Sequence, residues 1–206
     1  MLVVIIDYGM GNLGSVANMV KKAGGESIIT SDKNIISKAE KLILPGVGAF
    51  DNGIKNLRSY DILETINNKV QVEKIPILGI CLGMQLMTQC SEEGVEKGLG
   101  WMEAKTLKFD FSDFPEKLRI PHMGWNTIEV KKTHPVLYNI DPEKSRFYFV
   151  HSYYVDCFNT QDILLSSNYG KDFTAAFQKE NIVGVQFHPE KSHKFGMRLI
   201  QNFLSV

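Results

Sequence analysis

The residues best suited to covalent chemistry are a cysteine set between two glycines, Gly79-Ile80-Cys81-Leu82-Gly83. An apolar, β-branched run from Ile75 to Ile80 leads into them, and a helical pattern follows from Leu82 to Gln89. A strand turning directly into a helix through G-x-C-x-G is the thiol counterpart of a nucleophile elbow. Such a turn holds the nucleophile in a strained backbone conformation, and only small residues fit two positions to either side. It also leaves the sulfur at a helix N-terminus, where free N–H groups and the dipole favour thiolate over thiol. A buried core cysteine is the plainer alternative, but it gives the glycine bracket no purpose.

A thiol nucleophile needs a base, and there are five histidines: His122, His134, His151, His188 and His193. His188 has the right company. Residues Asn181 to Phe187 read as a strand, and His188-Pro189-Glu190 comes off its end. Pro189 cannot donate to a sheet ladder, so the strand stops there. With that turn, the imidazole and the Glu190 carboxylate point the same way, which is the base-and-orienter half of a triad. His122, His134 and His193 are read as surface or turn residues.

Together, Gly79-Ile80-Cys81-Leu82-Gly83-Met84-Gln85 and His188-Pro189-Glu190 resemble the class I (triad) glutamine amidotransferases. Further motifs are similar to one branch of that family: Asp7-Tyr8-Gly9-Met10-Gly11-Asn12, Leu44-Pro45-Gly46-Val47-Gly48-Ala49-Phe50, Pro121-His122-Met123-Gly124-Trp125-Asn126 and His151-Ser152-Tyr153. Members of this branch release ammonia for a HisF-type (β/α)8 synthase subunit.

The resemblance implies hydrolysis of L-glutamine through a cysteine thioester, with Cys81, His188 and Glu190 as the triad and no cofactor or metal. The N–H of Leu82, next after the nucleophile, is one oxyanion donor. Pro45 to Gly48 leaves a strand at the carboxyl edge of the sheet, where open α/β folds place ligands. The resemblance makes it the oxyanion strand, with Val47 or Gly48 as second donor and glycines that let a peptide rotate. It also gives Gln85, Ser152 and Tyr153 to glutamine binding, and Asn12, Met123, Trp125 and Asn126 to the face that meets the synthase.

The branch implies histidine biosynthesis, where the ammonia goes into imidazole glycerol phosphate and AICAR. One segment departs from it. After Lys191-Ser192, the run His193-Lys194-Phe195-Gly196-Met197 looks like a paralogue group that supplies ammonia for acetamidino sugars of surface polysaccharides. The glutaminase half is the same under either reading, since fold and triad say nothing of the acceptor.

The elements that position these residues alternate. Strands at Leu2–Ile6, Glu26–Thr30, Lys41–Leu44 and Ile75–Ile80 are separated by helical patterns at Asn12–Ala23, between Thr30 and Lys41, and at Ala49–Arg58 and Tyr60–Val72. That alternation predicts βαβ units in a doubly wound, mostly parallel sheet, the flavodoxin-like α/β class. Short strands follow at 101–109, 125–131, 146–150, 153–157, 163–167, 173–178 and 182–187, expected as antiparallel extensions. A helix over 194–204 closes the chain. No linker or repeat interrupts residues 1–206, so a single domain is expected.

Composition narrows the class. Lys+Arg 23 balances Asp+Glu 23, so no net field favours nucleic acid or an anionic membrane. No apolar run approaches the roughly 20 residues that span a bilayer. The apolar start meets Asp7 too early for a signal peptide, and Cys81, Cys90 and Cys157 form no even disulfide set. A cytoplasmic protein is expected. One competitor remains: Gly9-Met10-Gly11-Asn12-Leu13-Gly14 satisfies G-x-G-x-x-G, with Asp32 near the position of a ribose-binding acid. A dinucleotide-binding oxidoreductase, however, leaves the cysteine elbow and the His-Pro-Glu turn unexplained.

Overall fold

A computed structural model describes residues 2–112, 114 and 118–206. The first half is built as the alternation predicts: β1 (Val3–Ile6), α1 (Leu13–Lys22), β2 (Ser27–Thr30), α2 (Lys33–Ile36), β3 (Lys41–Gly46), α3 (Phe50–Ser59), α4 (Leu63–Asn67), β4 (Ile77–Cys81) and α5 (Leu82–Leu86). The second half contributes β5 (Ala104–Lys108), β6 (His122–Asn126), β7 (Glu129–Val130), β8 (Phe147–His151), β9 (Tyr153–Cys157), β10 (Ile163–Tyr169), β11 (Lys171–Lys179), β12 (Ile182–Val185) and α6 (His193–Ser205).

The main sheet runs β2-β1-β3-β4-β12-β11-β10-β7, with β9 and β5 branching from β11. The pairs from β2 to β12 are parallel, and those from β12 onward are antiparallel. β1, β3, β4 and β12 are buried along their whole length, because both faces of the sheet are covered. Val3 and Ile5 pack into the core beneath α1 and α6, while Val4 and Ile6 pack under α2, α3 and α4 on the other face. The period-two alternation of a strand thus feeds two cores from one apolar run.

Several elements differ from expectation. The 125–131 strand is two strands in two sheets: β6 pairs with β8 in a separate two-stranded sheet, whereas β7 joins β10. Asn126 makes the break, its side chain accepting from the Thr127 N–H at 2.8 Å and donating to the Asn168 carbonyl at 2.8 Å. β12, expected among the antiparallel extensions, is parallel to β4 in register Gly184↔Gly79 and antiparallel only to β11. The helix after Cys81 stops at Leu86, and the Gln89 N–H instead pairs with the Ala104 carbonyl. The helix expected from Tyr60 starts at Leu63, after Asp61 at φ 56°, and widens into a π-helical turn over Asn68–Val72.

Candidate active site

Cys81 is the last residue of β4 and caps α5, with φ 53° and ψ −109°. Positive φ is rare for a residue with a side chain and is sustained only where the surroundings enforce it. Here they do. A Cβ on Gly83 would run into the Leu44 carbonyl, and one on Gly79 would come within 2.9 Å of the Met84 nitrogen and 2.7 Å of the Met87 methyl. The two glycines let β3, β4 and α5 close around the turn, as the bracket predicts. Since α5 has only five residues, any favour it does the sulfur comes from the N–H groups of one turn rather than from a long dipole.

Across the sheet, β12 is hydrogen-bonded to β4, so the turn after β12 emerges beside the elbow. His188 Nδ1 donates to Glu190 Oε1 at 2.8 Å, and both side chains are almost fully buried. The turn is pinned to β8. The His188 N–H donates to the Tyr148 carbonyl, the Ser192 hydroxyl to the His188 carbonyl at 2.6 Å, and the Tyr148 N–H to Ser192 Oγ at 3.0 Å. Burial works against a charged ring, but the Cys81 sulfur and the Glu190 carboxylate outweigh it and raise the His188 pKa to about 10. Its Nε2, the ring nitrogen not turned to Glu190, makes no hydrogen bond among the described residues, so the proton it carries is free to be donated.

The other histidines are excluded as base by geometry. His151 lines the same cavity, but both its nitrogens are engaged, Nδ1 with the Tyr153 carbonyl at 2.7 Å and Nε2 with His122 at 2.9 Å. His134 accepts from the Val136 N–H to cap a short turn, and His193 is exposed and stacks on Trp125 at 5.4 Å. His122 corrects the expectation of a surface residue: it is buried beneath β6. Its one-residue offset from the exposed Met123 was the available signal, since alternate residues of a strand face opposite ways.

Cys81 and His188 open into a cavity of about 310 Å³ also lined by Val47, Gly48, Leu82 and Gln85. Ser152 and Tyr153 belong to the same wall. The structure therefore brings together the triad, oxyanion and glutamine-binding residues expected from the sequence. β3 pairs with β4 in register Gly46↔Cys81, which carries Val47 and Gly48 past the sulfur. The buried Tyr8 hydroxyl, its pKa pushed up by burial and the Cys81 sulfur, stays protonated and donates to the Pro45 carbonyl at 2.8 Å. Gly48 has φ +114°, a conformation that side chains resist.

Two residues at the site escaped the sequence reading. Gln186, fully buried just past β12, directs its amide Nε2 at the Cys81 sulfur, and its Oε1 accepts from Gln85 Nε2 at 3.1 Å. Glu93 brings a carboxylate to the cavity wall, where Oε2 accepts the Phe50 N–H at 2.8 Å. Neither lies in a motif. A polar residue in the apolar run before His188 was the only cue to Gln186.

Beside the cavity, β6 pairs with β8 in register Met123↔Val150, and Met123 and Trp125 are exposed. Asn12 is exposed too, and its Oδ1 caps α1 through the Ser15 N–H. The glycine-rich loop does not serve as a dinucleotide fingerprint. Asp32 is used as the cap of α2, and a Cβ on Gly14 would meet nothing within 4 Å, so no close helix–sheet packing calls for that third glycine. Among the described residues, no helix is long and apolar enough to cross a membrane.

Comparison with known proteins follows the same line. A family model described as "Glutamine amidotransferase class-I" matches residues 4–206. The chain is 55% identical over 203 residues to a Methanococcus maripaludis protein named imidazole glycerol phosphate synthase subunit HisH 2, covering 98% of each. It is 48% identical over 205 residues to a Pseudomonas aeruginosa protein of the same name, covering 100% of each. Among solved structures, one titled "Structure of PurLQS from Thermotoga maritima" superposes with a TM-score of 0.76 at 18% identity, over 99% of this chain and 97% of that one. At that identity the likeness concerns the fold.

Proposed function

Because the chain belongs to the class I glutamine amidotransferases, we propose that it is the glutaminase subunit of an imidazole glycerol phosphate synthase. One observation carries the chemistry: a strained cysteine and a buried His–Glu pair meet at the carboxyl ends of two neighbouring parallel strands, beside a cavity of about 310 Å³. The names of the relatives favour the histidine pathway over the amidino-sugar reading of the segment after Lys191. The family match and the two cores on one continuous sheet support treating residues 1–206 as one domain.

Cys81 sulfur attacks the side-chain amide carbon of glutamine, and the carbonyl π pair moves onto oxygen. The N–H of Leu82 and that of Val47 or Gly48 receive this oxyanion, in a site where aligned dipoles need not reorganise. His188 gives its Nε2 proton to the departing nitrogen, the C–N bond breaks, and ammonia leaves behind a thioester. Neutral His188 then takes a proton from water as its oxygen attacks the thioester. Collapse of the second oxyanion expels the thiolate and releases glutamate. Glu190 orients the ring and stabilises the imidazolium. Gln85, Ser152 and Tyr153 hold the substrate, and the Glu93 carboxylate suits its α-ammonium group.

Ammonia loses its reactivity once protonated, so a partner is expected over the site. Exposed Met123 and Trp125 on β6, together with exposed Asn12, offer side chains to a HisF-type (β/α)8 synthase. A cytoplasmic setting fits such a complex.

The test is glutamine hydrolysis by the chain alone and mixed with a HisF-type partner, with and without that partner's nucleotide substrate. Slow turnover alone and strong stimulation by partner and nucleotide are expected. Cys81→Ala should abolish glutamine-dependent turnover and leave the ammonia-dependent reaction of the complex intact. No stimulation by the nucleotide, with turnover instead beside a sugar acceptor and another synthase, would overturn the histidine assignment.

A further inference from the structure

A chain of hydrogen bonds runs from β6 into the glutamine cavity, and its two histidines, His122 and His151, take no part in the bond-making steps. Its protons can be assigned. His151 Nδ1 lies 2.7 Å from the Tyr153 carbonyl oxygen, which only accepts, so Nδ1 carries the hydrogen. Burial, the foremost influence, lowers the His151 pKa to about 3, so the ring is neutral and its Nε2 is an acceptor. The donor to it, at 2.9 Å, is therefore Nδ1–H of His122. Burial likewise lowers the His122 pKa to about 4, and the remaining His122 Nε2 accepts from the Asn126 amide at 3.3 Å.

Packing fixes the His122 ring as well. It stacks on Tyr169 at 4.2 Å and 24° and on Phe149 at 5.0 Å and 26°. At the far end of the chain, the Tyr153 carbonyl accepts a second hydrogen bond from Gln85 Nε2 at 3.1 Å. Gln85 thereby reaches Gln186 and, through it, Cys81.

We propose that His122 is a positioning residue for glutamine, holding His151 in one tautomer and one orientation so that residues 151–153 keep the shape of the cavity wall. The inference rests on the glutaminase reading. Without His122, a buried acceptor on His151 loses its donor. Such an unpaired group is costly enough to turn the ring and release the Tyr153 carbonyl. Because β6 also bears Met123 and Trp125, a protein seated on that strand adjoins the glutamine cavity through the buried His122 ring and through Val150, which pairs with Met123 and lines the cavity.

The experiment compares the wild type, His122→Phe and His122→Asn, each in complex with the synthase partner. Phenylalanine keeps the stacking and removes both nitrogens, and asparagine restores an amide near Nδ1. His122→Phe should raise KM for glutamine about tenfold with kcat within about threefold, and His122→Asn should recover part of the loss. In ¹⁵N imidazole spectra, His151 should lose its single Nδ1–H tautomer in the phenylalanine variant only. Alkylation of Cys81 by iodoacetamide, which needs no glutamine contact, should be unchanged.

An unchanged KM in His122→Phe, or equal losses in both variants with the His151 tautomer intact, would overturn the inference alone. A wild-type complex that turns over no glutamine would overturn the glutaminase reading and this inference with it. If His122→Phe fails to fold, His122→Gln, whose amide reaches the Nε2 position and leaves Nδ1 unmatched, should show the same rise in KM.

Discussion

The side-chain amide of Gln186 lies 3.7 Å from the Cys81 sulfur with its nitrogen as donor. Its orientation is not free, because Oε1 is held by Gln85 Nε2. A fixed donor orients the sulfur and stabilises negative charge returning to it when the thioester breaks down. Gln186→Met keeps much of the volume and removes the donor. It should slow both iodoacetamide alkylation of Cys81 and glutaminase kcat by about threefold to tenfold, the scale of one modest hydrogen bond. Unchanged rates in both assays would reduce Gln186 to packing.

The three cysteines differ in ways a glutamine-like diazo ketone can read. Cys157 is buried and its thiol is pushed up to about 12 by burial, while Cys90 is exposed but borders no glutamine cavity. Mass spectrometry after substoichiometric labelling should find the adduct on Cys81. Comparable labelling of Cys90 would show that exposure, and not the site, decides reactivity.

Glu190 and the Cys81 sulfur keep His188 protonated far above the ordinary histidine range. A raised folded-state pKa means that the imidazolium contributes its full stability below about pH 6.5. The unfolded chain releases that proton first, so the contribution falls as pH climbs from about 6.5 and is gone above about 10. Glu190→Gln should therefore melt below the wild type at pH 6, and the gap should narrow toward pH 10. A gap that widened with pH would put the carboxylate's effect elsewhere. At pH 7, the variant's kcat should fall by about a hundredfold or more, as expected when the base loses its orienting partner.

Gly83 and Gly14 test why glycines stand where they do. A Cβ at Gly83 would press on the Leu44 carbonyl, which is backbone and cannot swing aside. Gly83→Ala should cost about 3 kcal/mol or more and lower Tm by about 6–12 °C. Gly14 lies in α1 with open space where its Cβ would go. Gly14→Ala should be neutral or raise stability by up to about 1 kcal/mol, since alanine loses less entropy in a helix. A large loss there would revive a close-packing role for the glycine-rich loop.

What the sequence determined by itself was local and periodic. Apolar runs at Val3–Ile6, Leu42–Leu44 and Ile77–Ile80 announce strands covered on both faces, and the helical spacing between them dictates a doubly wound sheet. The glycine bracket of Cys81 and the proline after His188 are steric and covalent constraints within a few residues, so they could be read along the chain. The sequence could not say which strand lies beside which. Only the tertiary structure put β12 parallel to β4, and that pairing delivers the His188 turn to the elbow more than a hundred residues away in the chain. Only packing decided that Gln186 faces the sulfur, that Glu93 reaches the cavity, and that His122 turns inward onto His151 while Met123 and Trp125 face out. Side-chain partners across a sheet are fixed by register, and register follows from the lowest free energy of the whole core rather than from any local pattern.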